Sequence, residues 1–318
     1  MTEKIIFDTD PGIDDAMALL FAHRSPDIEV VGITTVLGNG SIDTVTQNAL
    51  YICERFDIPA PVYQGAAAPL LVEADEPPAF VHGDDALGNI QPAKPSHSIG
   101  DQYAAGYIVD TILQNPNEIT LVAVGRLTNL AMALRINPAI AGLVKQVVIM
   151  GGALGSNQFT GNVSPVAEAN IYGDPHAADI VMTAPWPVTL VGLDVTMQCV
   201  MDSRHLQALR SGAGDAGEFI WDITRHYENF YRTAHGVEGF AVHDSCAVAF
   251  LLAPDLYKLR KGAARVVTEG ISRGQTILAP TEKKYPLGAW GDIPEQQGCV
   301  GVNANAVLDL YVETLTAD

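Results

Sequence analysis

The sequence predicts an α/β fold built on a mostly parallel, doubly wound sheet. Short apolar, β-branched runs alternate with stretches of helical periodicity, as a parallel sheet requires. Gly, Asn, Asp and Thr gather directly behind those runs, where loops at the carboxyl edge of such a sheet form a pocket. The chain has 318 residues, 48% hydrophobic and 17% charged, enough apolar material for a large core. We expect one Rossmann-like domain over residues 1–318, with the active site at the C-terminal strand ends.

Each element can be justified in turn. The first strand, residues 5–7, carries Ile5, Ile6 and Phe7 and ends in Asp8-Thr9-Asp10. Pro11 and Gly12 then force a tight turn. Asp14 and Asp15 open a helix with Ala16, Leu19, Leu20 and Ala22 on roughly one side. A second strand, 29–35, runs into Val36-Leu37-Gly38-Asn39-Gly40, and a third, 119–124, into Gly125-Arg126-Leu127-Thr128-Asn129. A fourth, 146–150, meets Gly151-Gly152, and a fifth, 188–193, meets Asp194-Val195-Thr196. Residues 73–98, rich in Pro, Asp and Gly, read as a long loop or flap over the pocket. The glycine-rich 211–217 reads as a mobile connection before a helix at about 218–233.

Composition excludes several classes. A net charge of −19, from 37 acidic against 18 basic residues, argues against nucleic acid or an anionic membrane surface as partner. The cysteines at 53, 199, 246 and 299 show no C-x-x-C, which disfavours a disulfide framework or a zinc ribbon. No apolar run reaches the ~18 residues of a membrane span. The start, MTEKIIFDTD, lacks the shape of a signal peptide, so a cytoplasmic enzyme or binding protein is expected.

The Asp8, Asp10, Asp14, Asp15 cluster carries the chemistry. So many carboxylates at one sheet edge repel each other unless a cation sits among them, which points to a divalent metal site. Helix capping competes as an explanation, since an Asp in a first turn contributes ~0.3–1 kcal/mol; that covers one or two of the four. An EF-hand is ruled out because its sixth and twelfth positions need Gly and Glu, where Ile13 and Leu19 stand.

Three further segments are candidates. Asn162, Glu168 and Asn170 offer donors and acceptors suited to the vicinal hydroxyls of a sugar, with an ordinary polar loop as the alternative; Glu168 and Asn170 would point the same way in an extended segment. His243-Asp244 lies between apolar stretches, where unpaired ionisable groups are costly. Asp244 would complete a metal shell; a satisfied core histidine is the plainer account of His243. His82-Gly83-Asp84-Asp85 reads as an exposed polar turn.

Together these segments resemble the inosine-uridine preferring nucleoside hydrolases. Asp8 to Ala16, DTDPGIDDA, matches that family's signature without a gap. The likeness continues in family order through Gly38-Asn39, His82-Gly83, Val124 to Asn129, Met150-Gly151-Gly152, Asn162 with Glu168-Ala169-Asn170, and His243-Asp244. It implies hydrolysis of the N-glycosidic bond of purine or pyrimidine ribonucleosides with a catalytic Ca²⁺, whose all-oxygen shell suits a hard cation. Asp10, Asp15, Asp244 and the Val124 carbonyl match the ligands. Asp14, Asn39, Asn162, Glu168 and Asn170 match ribose-binding positions, and His82 lies near the nucleobase. Asp10 would take a proton from a Ca²⁺-activated water, and His243 would protonate the leaving base. Tyr227 and Tyr231, sixteen and twelve residues before His243, match an aromatic pair of purine-handling members. Ala169 departs from the Phe of many relatives, which leaves base preference open. A homodimer or homotetramer is also implied. Two other readings remain: a haloacid-dehalogenase-like phosphatase, from Asp8-x-Asp10 and the Gly173-Asp174-Pro175-His176 segment, and a ribonucleoside binder without turnover.

Overall fold

The computed structural model describes residues 2–283, 285 and 288–317. Its strands are β1 (Glu3–Thr9), β2 (Ile28–Thr35), β3 (Val62–Gln64), β4 (Ile119–Ala123), β5 (Gln146–Met150), β6 (Val188–Val191), β7 (Val200–Met201), β8 (Phe240–Ala241), β9 (Tyr257–Val266), β10 (Thr276–Pro280) and β11 (Glu295–Val302). Nine of these form one sheet in the order β10-β9-β11-β6-β5-β4-β1-β2-β3. The run β3-β2-β1-β4-β5-β6 is parallel throughout and has the 3-2-1-4-5-6 order of a doubly wound sheet. The five strands read from the sequence are β1, β2, β4, β5 and β6. Beyond β6 the sheet continues through parallel β11 into antiparallel β9 and β10.

The helices are α1 (Ile13–Arg24), α2 (Ile42–Arg55), α3 (Ala79–His82), α4 (Ala104–Gln114), α5 (Thr128–Ile136), α6 (Ala169–Gly173), α7 (Pro175–Thr183), α8 (Leu193–Thr196), α9 (Ser203–Gly212), α10 (Gly214–His235), α11 (His243–Leu252) and α12 (Ala304–Thr316). They cover both faces of the sheet, because successive strand residues point to opposite sides. Ile5 and Phe7 of β1, Val122 of β4 and Val148 of β5 join one core with α1, α10, α11 and α12. Ile6, Leu121, Val147 and Ile149 join the other with α4, α5 and α7. None of the described helices is long and apolar enough to cross a membrane.

Three local expectations change. Residues 13–22 of α1 are buried on every side, so the apolar stripe read there is part of an all-round core helix. The mobile connection at 211–217 is instead the junction of α9 and α10, with Ala213 alone between them. Its glycines serve packing: a Cβ at Gly217 would stand 2.1 Å from the Leu209 carbonyl oxygen. In the 73–98 loop, α3 folds and buries His82, so of the HGDD segment only Asp84-Asp85 form the expected turn, with Asp84 exposed. Asp85 ties that loop through the backbone N–H groups of Leu87, Asn89 and Gln91.

Candidate active site

The topological switch point lies between β1 and β4, and both strands deliver their ends there. The β1 end supplies Asp8 and Asp10, and the start of α1 adds Asp14 and Asp15, all buried. Asp15 caps its own helix: its carboxylate accepts the Gly12 N–H at 3.0 Å, the Asp10 N–H at 3.1 Å, the Thr9 hydroxyl at 2.6 Å and the Asn39 amide at 2.9 Å. The helix capping that competes with a metal as explanation is thus the work of Asp15. Asp14 keeps one oxygen buried and without a hydrogen-bond partner, as does Asp10, whose other oxygen accepts the Asn39 N–H at 2.8 Å. Asp8 accepts from Thr34 and the Asn129 amide through Oδ1, and its Oδ2 is also buried without a partner.

Burial, and then the neighbouring Asp15, raises the pKa of Asp14 to about 8 and presses that of Asp10 well above the carboxylate range. Asp244, at the start of α11, is raised by burial and then by Asp14, Asp15 and Asp10. Carboxylates do not gather this way without an electrostatic reason. Atoms of Asp14, Asp15 and Asp244 lie within 4.8 Å of one another, a set of hard oxygen donors that fits a divalent cation. Asp10, expected beside Asp15 and Asp244, lies outside that trio but next to it, its N–H donating to Asp15 at 3.1 Å. The Val124 carbonyl accepts the Asn170 side-chain amide at 2.7 Å and retains a second lone pair.

A cavity of about 370 Å³ opens over Asp14 and Asp244, with Asp10 and Asp15 outside its lining. Asp14, Asn39, His82, Val124, Asn162, Glu168, Asn170, Tyr227, Tyr231, His243 and Asp244 all line it. Glu168 and Asn170 do not sit on an extended segment. Glu168 is the N-cap of α6, its carboxylate accepting the backbone N–H groups of Asn170, Ile171 and Gly152 at 2.9–3.2 Å; its pKa is raised by burial and lowered by these bonds. Asn170 is the second residue of that helix, and Asn162 accepts the Ala169 N–H at 3.0 Å. The polar loop is thus a cradle ordered by its own side chains.

Aromatic and imidazole groups form the opposite wall. His243 opens α11 with Nδ1 at 2.8 Å from the Thr196 hydroxyl and Nε2 at 2.7 Å from the Tyr231 hydroxyl. Burial, and then His235, lowers its pKa to about 4, so it is a neutral ring at pH 7. His82 is likewise lowered by burial, to about 3; its Nδ1 accepts the Ile13 N–H at 3.3 Å while the ring stacks on Tyr227. Tyr227 meets Tyr231 edge-on, with its hydroxyl 3.5 Å from Asp14. The sequence reading missed Phe80, Phe159, Phe230 and His235, which also line the cavity. Phe230 and His235 had a signal: with Tyr227 and Tyr231 they repeat at helical spacing on one face of α10. Phe80, in the single turn of α3, and Phe159, on a loop, had none.

An acidic, cation-competent floor beneath an aromatic wall, at the switch point of a doubly wound sheet, suits an enzyme that holds a polar group over the carboxylates and a planar one against the rings. Residues 5–309 match the family model for inosine-uridine preferring nucleoside hydrolases. The chain is 41% identical to probable uridine nucleosidase 1 of Oryza sativa subsp. japonica over 89% of its own length and 87% of that protein. It is 39% identical to the inosine-uridine preferring nucleoside hydrolase of Leishmania major, over 90% of both. The solved structure of a plant nucleoside hydrolase superposes with a TM-score of 0.96 at 37% identity, covering the whole of each chain. The chain belongs to the nucleoside hydrolase family, and its reaction is the hydrolysis of ribonucleosides. The phosphatase reading falls with this assignment. Its supposed distal motif is structural: Asp174 caps α7 and Asp179 pairs with Arg265.

Proposed function

We propose that the chain, acting as one domain over residues 1–318, cleaves the N-glycosidic bond of purine and pyrimidine ribonucleosides with the help of Ca²⁺. The observation that carries this is that Asp10 Oδ1 and Asp14 Oδ1 are buried without partners, with Asp14 lining a cavity whose walls are aromatic. Asp10, Asp15, Asp244 and the Val124 carbonyl would hold the ion, with Asp14 beside them at the ribose hydroxyls. Bound there, Ca²⁺ would lower the pKa of a water and offset the charge of the floor.

The residues then divide the reaction. Glu168, Asn39, Asn162 and Asn170 grip the ribose and favour the distorted pucker of an oxocarbenium-like transition state. Asp10 takes a proton from the water as its oxygen bonds to the anomeric carbon. The glycosidic bond breaks with its electron pair going to the base, which leaves protonated by the Tyr231–His243 pair while His82 and Tyr227 flank it. The neutral His243 fits this arrangement as the partner that supports Tyr231 in giving up its proton. Each acid or base contribution is worth about 10²–10⁴-fold. On family resemblance we also place the protein in the cytoplasm, as a homodimer or homotetramer in nucleoside salvage.

The test is release of reducing sugar from inosine, uridine, cytidine, adenosine and guanosine by wild type, Asp10→Asn and His243→Ala. Asp10→Asn should depress kcat on every substrate. His243→Ala should cripple inosine cleavage and largely spare p-nitrophenyl riboside, whose leaving group departs without protonation. A wild type that releases no sugar at high enzyme concentration would leave a nucleoside binder.

A further inference from the structure

Thr196 is the last residue of α8, fully buried, and among the described residues its hydroxyl has one hydrogen-bond partner, His243 Nδ1 at 2.8 Å. That solitary contact decides a proton position. A buried hydroxyl left with no acceptor for its hydrogen is costly, whereas an unused lone pair is cheap. If Nδ1 carried the ring proton, the Thr196 hydrogen would have nowhere to go. The hydroxyl must therefore donate to Nδ1, and the neutral ring then carries its proton on Nε2. Nε2 lies 2.7 Å from the Tyr231 hydroxyl, so the ring donates to that oxygen. The Tyr231 hydrogen is thereby free to point into the cavity that Tyr231 lines.

We infer that Thr196 is a positioning residue for the leaving-group step: its hydroxyl selects the Nε2–H tautomer of His243 and so aims the chain Thr196, His243, Tyr231 toward the departing base. The inference rests on the roles proposed above for His243 and Tyr231. The step is conservative. The base accepts the Tyr231 proton with the electron pair of the broken bond, the Nε2–H bond stabilises the phenolate left behind, and solvent returns the proton. With the opposite tautomer, Tyr231 would be turned to donate into the ring and the base would meet a lone pair.

Thr196→Val removes the hydroxyl at constant shape, and Thr196→Ser restores it. Thr196→Val should lower kcat on inosine by at least about 10-fold, toward the ~10²–10⁴-fold of a lost general acid, with KM within about two-fold and p-nitrophenyl riboside cleavage near wild type. Thr196→Ser should recover most of the loss. Equal losses on both substrates, or none on inosine, would overturn the inference. His243→Ala, run alongside, separates the two claims: if it too spares neither substrate, the role of His243 fails first. The tautomer is checked independently by two-bond ¹H–¹⁵N spectra of histidine-labelled wild-type enzyme, which should show an unprotonated Nδ1 at His243. A protonated Nδ1 there refutes the assignment whatever the kinetics.

Discussion

Asp10 is clasped between two glycines, and adding one methyl group is a direct test of its role. A Cβ at Gly38 would stand 1.8 Å from Asp10 Oδ2 and 2.7 Å from its Cγ. Ordinary contact begins at 3.4 Å, so in Gly38→Ala the carboxylate must retreat by about 1.6 Å. Retreat is confined on the other side by Gly125, where even a Cβ would come within 2.5 Å of Oδ1. A 1 Å misplacement of a reacting group costs ~10²-fold, so kcat should fall at least that far. Because water activation is common to all substrates, uridine and p-nitrophenyl riboside should lose equally. Overpacking of this size costs roughly 1–3 kcal/mol, which leaves the enzyme folded with Tm down by a few degrees. Gly106→Ala is the control: nothing lies within 4 Å of its Cβ, and Ala inside a helix is favoured by ~0.5–1 kcal/mol. A folded Gly38→Ala enzyme with wild-type kcat would refute Asp10 as the base.

Exhaustive removal of divalent cations should abolish activity and lower Tm, since an ion at 100 times its dissociation constant contributes about 2.7 kcal/mol; full activity in protein shown metal-free by elemental analysis would contradict this. Deoxyuridine should be a far worse substrate than uridine, because a site built to bond a hydroxyl rejects its absence by ~10⁴–10⁵; similar kcat/KM values would dismiss the Glu168 and Asn170 assignments. All four cysteines are buried and free, burial raises Cys53 and Cys299 to about 12, and a hydrogen bond with Cys199, then burial, holds Cys246 well above the usual thiol range. Thiol reagents at pH 8 should therefore leave the native enzyme unlabelled and modify four groups after unfolding, and rapid labelling of the native state would count against this core.

What the sequence made legible is what local order encodes. DTDPGIDD is a strand end, a turn and a helix start in one continuous run, so its carboxylates converge whatever the rest of the chain does. The parallel strands β1, β2, β4, β5 and β6 each carry a largely buried apolar run, and each announces itself. Two kinds of feature stayed hidden. β9 mixes Lys258, Arg260, Lys261 and Arg265 with apolar residues, because it lies near the sheet edge where half its side chains meet solvent, and β3 is only three residues long. His82 looked solvated in HGDD because its partners, Ile13 and Tyr227, are remote in sequence. The orientation of the Asp10 and Asp15 carboxylates stayed hidden for a similar reason, since it depends on Asn39, from the loop behind β2, which donates to both.

The division of the cavity between α10 and the strand ends has an evolutionary consequence. Tyr227, Phe230, Tyr231 and His235 share one helix, whereas the carboxylates and ribose-facing amides come from β1, β2, β4 and the starts of α1, α6 and α11. Few single replacements among those dispersed positions would spare turnover, so drift there is closed off. A helix is different, since the side chains on its cavity-facing side can mutate residue by residue while its backbone stays docked. Lineages can therefore trade one nucleobase for another by editing a single surface, and inherit the sugar chemistry unchanged.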